Sequence, residues 1–127
     1  MAEHEIIESY RHRAKEDLKA AQEMLRSKFH LAAISRAYYA IFYAITAALL
    51  EKDVIVHRHK QLGIEFRRHF IKAKLLPKQS SQILETLFQA RQTADYDAMP
   101  EITLERVQEL IVDAEKLIKA IFSLSKI

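Results

Sequence analysis

Residues 31–50 read LAAISRAYYAIFYAITAALL, a helix-length run whose one charge is Arg36. At about 100° per residue, Ile34, Tyr38, Ile41, Ile45 and Leu49 fall on one side. Arg36, Ala40, Tyr43 and Ala47 fall on the other, with Tyr39 and Ala44 at its edges. A helix apolar nearly all round must be enclosed, by other helices or by lipid. Lipid is the poorer host. A charge within the span costs about 2.5–3.5 kcal/mol on insertion scales, and the many alanines repay little of it. The segment is therefore expected to be the central helix of a soluble bundle. Its second face is expected to meet another helix pair or another subunit.

The remainder of the chain supports a bundle. Helical spacing is nearly continuous, and with one Gly and two Pro in 127 residues a turn-rich β architecture has no material to build on. The first helix is expected from Glu5 to Ser27, with Ile7, Tyr10, Ala14, Leu18, Ala21 and Leu25 as its stripe. The second runs from Leu31 to Lys52. A third, Arg58 to Ala73, carries Leu62, Phe66 and Phe70, although Gly63 inside it costs about 1 kcal/mol relative to Ala. A fourth starts at Pro77, which suits a first turn, and ends near Ala98, before Pro100. The fifth begins after Thr103, an N-cap residue flanked by Ile102 and Val107 at staple positions, and continues to the C-terminus. Short connections make neighbours antiparallel. The expectation is an all-α, mostly antiparallel up-and-down bundle of four long helices and a shorter one, forming one domain over residues 1–127.

Charge and composition narrow the chemistry. Without cysteine, thiolate catalysis, thiolate metal sites and disulfides are excluded. The only glycine is Gly63, so there is no Gly-rich phosphate loop. His57-Arg58-His59 lacks the spacing of a helical metal site, and neither a metal nor another cofactor is expected. The polar, acidic start carries no secretory pattern, which makes the cytoplasm the expected location. The net charge is only +3, but it is unevenly placed. Residues 53–78 hold seven Lys/Arg against two acids, and residues 95–115 hold seven acids against Arg106. The two regions are either complementary solvated faces or a basic surface that attracts phosphates.

The most informative segment is LETLFQARQTADYD, residues 84–97. With Leu84 at the origin of a helical wheel, Leu87 and Phe88 lie beside it. Arg91 and Asp95 lie within about 20° of it. An ion pair therefore continues the middle of an apolar stripe. Charges placed there need partners. Arg91 and Asp95 are one turn apart and can pair; Arg36 is a second candidate partner for Asp95. The pair either fixes helix register or forms a polar site where Arg91 meets a phosphate. Tyr96 falls off the stripe, at the rim. Tyr38, Tyr39 and Tyr43 fit core or interface packing better than a base-stacking platform.

The SRAYYAIFYAITAALL stretch, the His57/His59 region, the basic Phe-containing third helix and Arg91-Gln-Thr-Ala-Asp95-Tyr96 together resemble a HEPN domain over most of the chain. The resemblance implies a small helical bundle that dimerises. It also implies pairing with a separate minimal nucleotidyltransferase, as in two-gene toxin–antitoxin modules. Many HEPN relatives are metal-independent RNases that use an Arg followed by a His four to six residues later, with two motifs meeting across the dimer. On that basis Arg91, Asp95 and Tyr96 are the candidate catalytic residues, and Arg36, His57 and His59 the candidate nucleotide- or RNA-binding residues. Tyr96 is also the candidate acceptor of an AMP group from the nucleotidyltransferase.

One departure bears on activity. With four to six residues intervening after Arg91, the window is occupied by Tyr96, Asp97 and Ala98, and no His lies there. Arg91 can stabilise phosphorane charge but cannot shuttle protons at neutral pH, and tyrosine, with an ordinary pKa of about 10, replaces imidazole poorly. His57 or His59 supplies the missing group only if their connector folds back over Arg91. Three functions remain open: a regulated partner of a nucleotidyltransferase, an RNase with a degenerate motif, and a non-catalytic nucleotide- or partner-binding adaptor.

Overall fold

In the computed structural model, which describes residues 2–126, the chain folds into helices joined by short turns, and no strand occurs among the described residues. Helix α1 (Ala2–Arg26) turns at Ser27–Phe29 into α2 (His30–Leu50), its antiparallel neighbour. Helix α3 (His59–Phe66) runs on into a π-helical turn, Arg67–Ile71. Helices α4 (Gln79–Tyr96) and α5 (Leu104–Ser123) complete the bundle. The expected all-α architecture is present, with four long helices and a shorter one.

Helix α2 is the centre. Ala33, Ile34, Ala37, Tyr38, Ala40, Ile41, Ala44, Ile45, Ala47 and Leu49 are all buried on it, so both faces are covered. The cover comes from α1, α5, α4 and α3 of the same chain. The second face is thus met by helices within the chain. The small alanines allow this by letting several backbones approach together. By length and hydropathy α2 qualifies to cross a bilayer, but most of its apolar stretch is enclosed by the bundle. Thr46, the buried polar residue on it, donates its hydroxyl to the Phe42 carbonyl oxygen at 2.8 Å and so leaves no unsatisfied donor.

Most helix boundaries shift by one to three residues from the sequence expectation; α5 ends at Ser123 rather than at the C-terminus, and α3 gives way to the π-helical turn after Phe66. Fraying and end geometry move such boundaries readily. Helix α4 starts at Gln79, two residues after Pro77, because Ser80 and Ser81 first bond back to the Pro77 and Lys78 carbonyls. It ends at Tyr96, where Asp97 adopts extended backbone and its carboxylate accepts from the Met99 N–H. Thr103 caps α5 as expected: its hydroxyl oxygen accepts from the Arg106 N–H at 3.1 Å. Val107, Leu110, Ile111, Ala114, Leu117, Ile118 and Ile121 then form a buried stripe.

Other helix ends were not legible. Lys28, Asp53 and Lys74 all have positive φ, at 68°, 61° and 60°. Each follows a helical end and lets the chain turn back, with bonds such as Phe29 N–H to the Met24 carbonyl and Leu75 N–H to the Phe70 carbonyl. This left-handed position normally belongs to glycine. The one glycine serves elsewhere. Gly63 is buried in α3, where a Cβ would stand 3.3 Å from Nη1 of Arg67 and 3.4 Å from Oε1 of Glu85. The missing side chain leaves room for charged groups from the π-helical turn and α4 to meet.

Candidate functional site

Helix α4 carries the predicted stripe. Leu84 and Leu87 are fully buried, Phe88 is half-buried, and the stripe then continues into Arg91 and Asp95. The side chain of Arg91 is 18% exposed and that of Asp95 is 34% exposed, so both sit at a wall of the bundle rather than in bulk solvent. Nε of Arg91 lies 3.2 Å from Oδ2 of Asp95. That distance makes an ion pair, but the alignment does not make a hydrogen bond, and buried Nε has no hydrogen-bond partner.

The surroundings of Arg91 come from α2. Its guanidinium carbon lies 5.5 Å from the ring centre of Tyr38 and 5.2 Å from that of Tyr39. Both distances are within the range where a cation is attracted to a ring face. Ser35, one turn earlier, donates its hydroxyl to Oδ1 of Asp95 at 2.8 Å. A guanidinium is thus held by two tyrosine rings, while its carboxylate partner is held by a serine. Among the described residues, no side chain or carbonyl hydrogen-bonds the terminal nitrogens of Arg91.

Arg36 does not pair with Asp95. It pairs with Asp17 of α1, Nη1 to Oδ1 at 3.1 Å. The physical reason is the helical step: Arg36 points toward α1, whereas Ser35 points toward α4. Arg36 still belongs to the neighbourhood, since its guanidinium lies 5.4 Å from the Tyr39 ring centre. Tyr39 therefore contacts two guanidinium groups. The aromatic band continues through Tyr43, stacked with Tyr39 and Tyr10, to Arg13, which donates to the Tyr43 hydroxyl at 2.6 Å.

The two histidines separate. His57 is exposed in the connector. His59, the first residue of α3, folds onto the site. Its ring stacks on Phe88, with centres 3.6 Å apart and planes 8° from parallel. Nδ1 is 2.9 Å from the Tyr38 hydroxyl, and Nε2 is 3.3 Å from the Glu85 carboxylate. With neutral imidazole, the Tyr38 O–H donates to Nδ1 and Nε2–H donates to Glu85. Arg67 completes the edge at 3.7 Å from Glu85. The structure therefore links Arg91 to His59 through one shared ring, Tyr38. Burial pushes the Tyr38 hydroxyl well above its ordinary value, with the Arg91 charge pulling back only in part. Tyr38 stays a neutral phenol that orients its neighbours.

Tyr96 is 76% exposed at the end of α4. Among the described residues, no three His, Asp or Glu side chains form a metal-holding group. Ser35, Tyr38, Glu85 and Phe88 were not singled out as site residues from sequence. The spacing of Glu85, Phe88, Arg91 and Asp95 along one face of α4 was the available signal.

Comparison with known proteins points one way. The HEPN domain family matches residues 7–124. A Thermotoga maritima protein named "UPF0332 protein" is 34% identical over 116 residues, 91% of this chain and 88% of that one. "Putative toxin MJ0142" of Methanocaldococcus jannaschii is 33% identical over 105 residues, 83% of this chain and 71% of that one.

Proposed function

The chain belongs to the HEPN domain family, and from that premise we propose that it is a toxin-like protein whose Arg91 cleft receives a phosphate of an RNA or nucleotide. One observation carries this reading: the half-buried Arg91 guanidinium, fixed by Tyr38, Tyr39 and Asp95, keeps donors with no hydrogen-bond partner among the described residues. A planar guanidinium held in this way suits a phosphate oxygen pair. Arg36 and the exposed basic residues of α3 and its π-helical turn add attraction at longer range. The name "Putative toxin MJ0142" of the Methanocaldococcus jannaschii relative supports the toxin-like part.

The module is completed in this reading by a second copy of the chain, which brings a second Arg91 to the cleft, and by a minimal nucleotidyltransferase that restrains the toxin in the cytoplasm. Exposed Tyr96 is its accessible acceptor hydroxyl. The test is expression in a bacterial host. Growth arrest by the wild type, absent in Arg91→Ala at equal protein level and relieved by co-expression of a minimal nucleotidyltransferase, is the expected result. Equal arrest by Arg91→Ala overturns the assignment of the cleft.

A second reading, RNA cleavage without a metal, is favoured by His59. In such a reaction the 2′-hydroxyl oxygen attacks phosphorus, its proton passes to a base, and the leaving 5′-oxygen takes a proton. His59 is the imidazole tied to Arg91 through Tyr38. Cleavage of single-stranded RNA by purified protein, lost in His59→Asn and in Arg91→Ala, supports it; intact RNA at large protein excess sinks it.

A further inference from the structure

At the other end of α2 from Arg91, a cavity of about 430 Å³ opens between α1, the last turns of α2, the π-helical turn and the end of α5. Its deepest lining is Ala44, Ala47 and Ile121, all essentially fully buried, with half-buried Ala48 beside them. Phe70 and Phe122 form walls. Leu75 and Leu124 stand at the mouth, 43% and 36% exposed. The size lies within the roughly 300–1,000 Å³ range of small-molecule sites.

Two features mark it as more than a packing gap. Phe70, from the π-helical turn that ends α3, lines it opposite Phe122, so aromatic walls from two separate elements enclose the alanine floor. The charged lining is also one-sided: Arg11, Lys52 and Lys126 against Glu51 alone. Glu51 is already engaged by the Ser125 hydroxyl and lies 4.0 Å from Arg11. Arg11 also pairs with Glu8, whereas among the described residues neither lysine is held in an ion pair. Arg11 lies over the Phe122 ring at 4.4 Å and Lys52 over the Phe70 ring at 5.2 Å, so cations and apolar walls adjoin.

We propose that this cavity binds a small amphipathic organic anion, its apolar body on the alanine floor and its acid group at Lys52, Lys126 and Arg11. Such a ligand satisfies both halves of the lining, which neither a purely apolar molecule nor a cation does. The site is separate from the Arg91 cleft and stands whether or not that cleft binds phosphate.

The test titrates the full chain with dodecanoate by isothermal calorimetry, with dodecyltrimethylammonium as the opposite-charge control. Saturable binding of dodecanoate alone is expected, at least tenfold weaker in Ala48→Leu, which fills the floor, and in Lys52→Glu, which reverses a mouth charge. Lys52 is exposed, so its variant reports even where Ala48→Leu fails to fold. Absence of saturation with dodecanoate, equal binding of the cation, or unchanged affinity in Lys52→Glu overturns the proposal. So does a change of oligomeric state in Lys52→Glu, which marks the cavity as an interface.

Discussion

The Tyr38 hydroxyl lies 2.9 Å from Nδ1 of His59, and the same tyrosine ring lies 5.5 Å from the guanidinium carbon of Arg91. One buried side chain therefore has two separable jobs. Its oxygen fixes an imidazole and its face holds a cation. Substitutions divide them. Tyr38→Phe keeps the ring and is expected to cost about 1 kcal/mol, the worth of one net hydrogen bond. Tyr38→Ala removes the ring from the core and is expected to cost about 3–5 kcal/mol, as large-to-small aromatic changes do. Urea denaturation of the two variants checks the difference; equal losses contradict the division.

The same burial sets a pH dependence. The Tyr38 hydroxyl is raised above its ordinary 10.0, chiefly by desolvation. A group with a raised folded-state pKa stabilises the fold fully below its unfolded value, and that contribution is lost as pH climbs toward the folded one. Stability is therefore expected to fall above about pH 10. Tyrosinate absorbance during alkaline titration should show a last, late step that coincides with unfolding and is missing in Tyr38→Phe. An early, fully reversible titration of all five tyrosines contradicts this.

The start of α5 rests on a single side-chain cap. Thr103→Ala is expected to lose about 1 kcal/mol, since the Arg106 N–H then has no side-chain acceptor. Thr103→Ser is expected to keep most of it. Thermal unfolding of both variants decides the matter.

Lys28 sits at φ 68° after α1. A side chain there costs about 1 kcal/mol relative to glycine. Lys28→Gly is therefore expected to raise stability by about that amount, even though it removes a charge and touches no core residue. A loss in chemical denaturation contradicts the strain argument.

These positions also mark what was legible in the sequence. Periodicity sufficed for α1, α2, α4 and α5, because each buries a continuous stripe and the stripe is the helix signal. Thr103 and Pro100 announced the α4–α5 turn by their own backbone chemistry. Lys28 and Lys74 announced nothing, since lysine carries no preference for the conformation that packing imposes on it, and Asp53, of a type that tolerates that conformation, was the weak signal. The site divided along the same line. Arg91 and Asp95 were visible because both lie on one helix and interrupt its own pattern. Their partners Ser35, Tyr38 and Tyr39 arrive from α2, and His59 from α3, so only the three-dimensional crossing of helices brings them together. The pairing of Arg36 with Asp17 depends likewise on which neighbour α2 turns toward.

The central claim is that Arg91 presents its guanidinium to a phosphate, and fluorescence anisotropy with a labelled single-stranded oligoribonucleotide tests it most directly. A charge-assisted contact of about 1.5–3 kcal/mol predicts that Arg91→Ala binds about 10- to 100-fold more weakly than wild type, with unchanged helicity and falling affinity at higher salt. Wild-type affinity in Arg91→Ala, with the fold intact, contradicts the account.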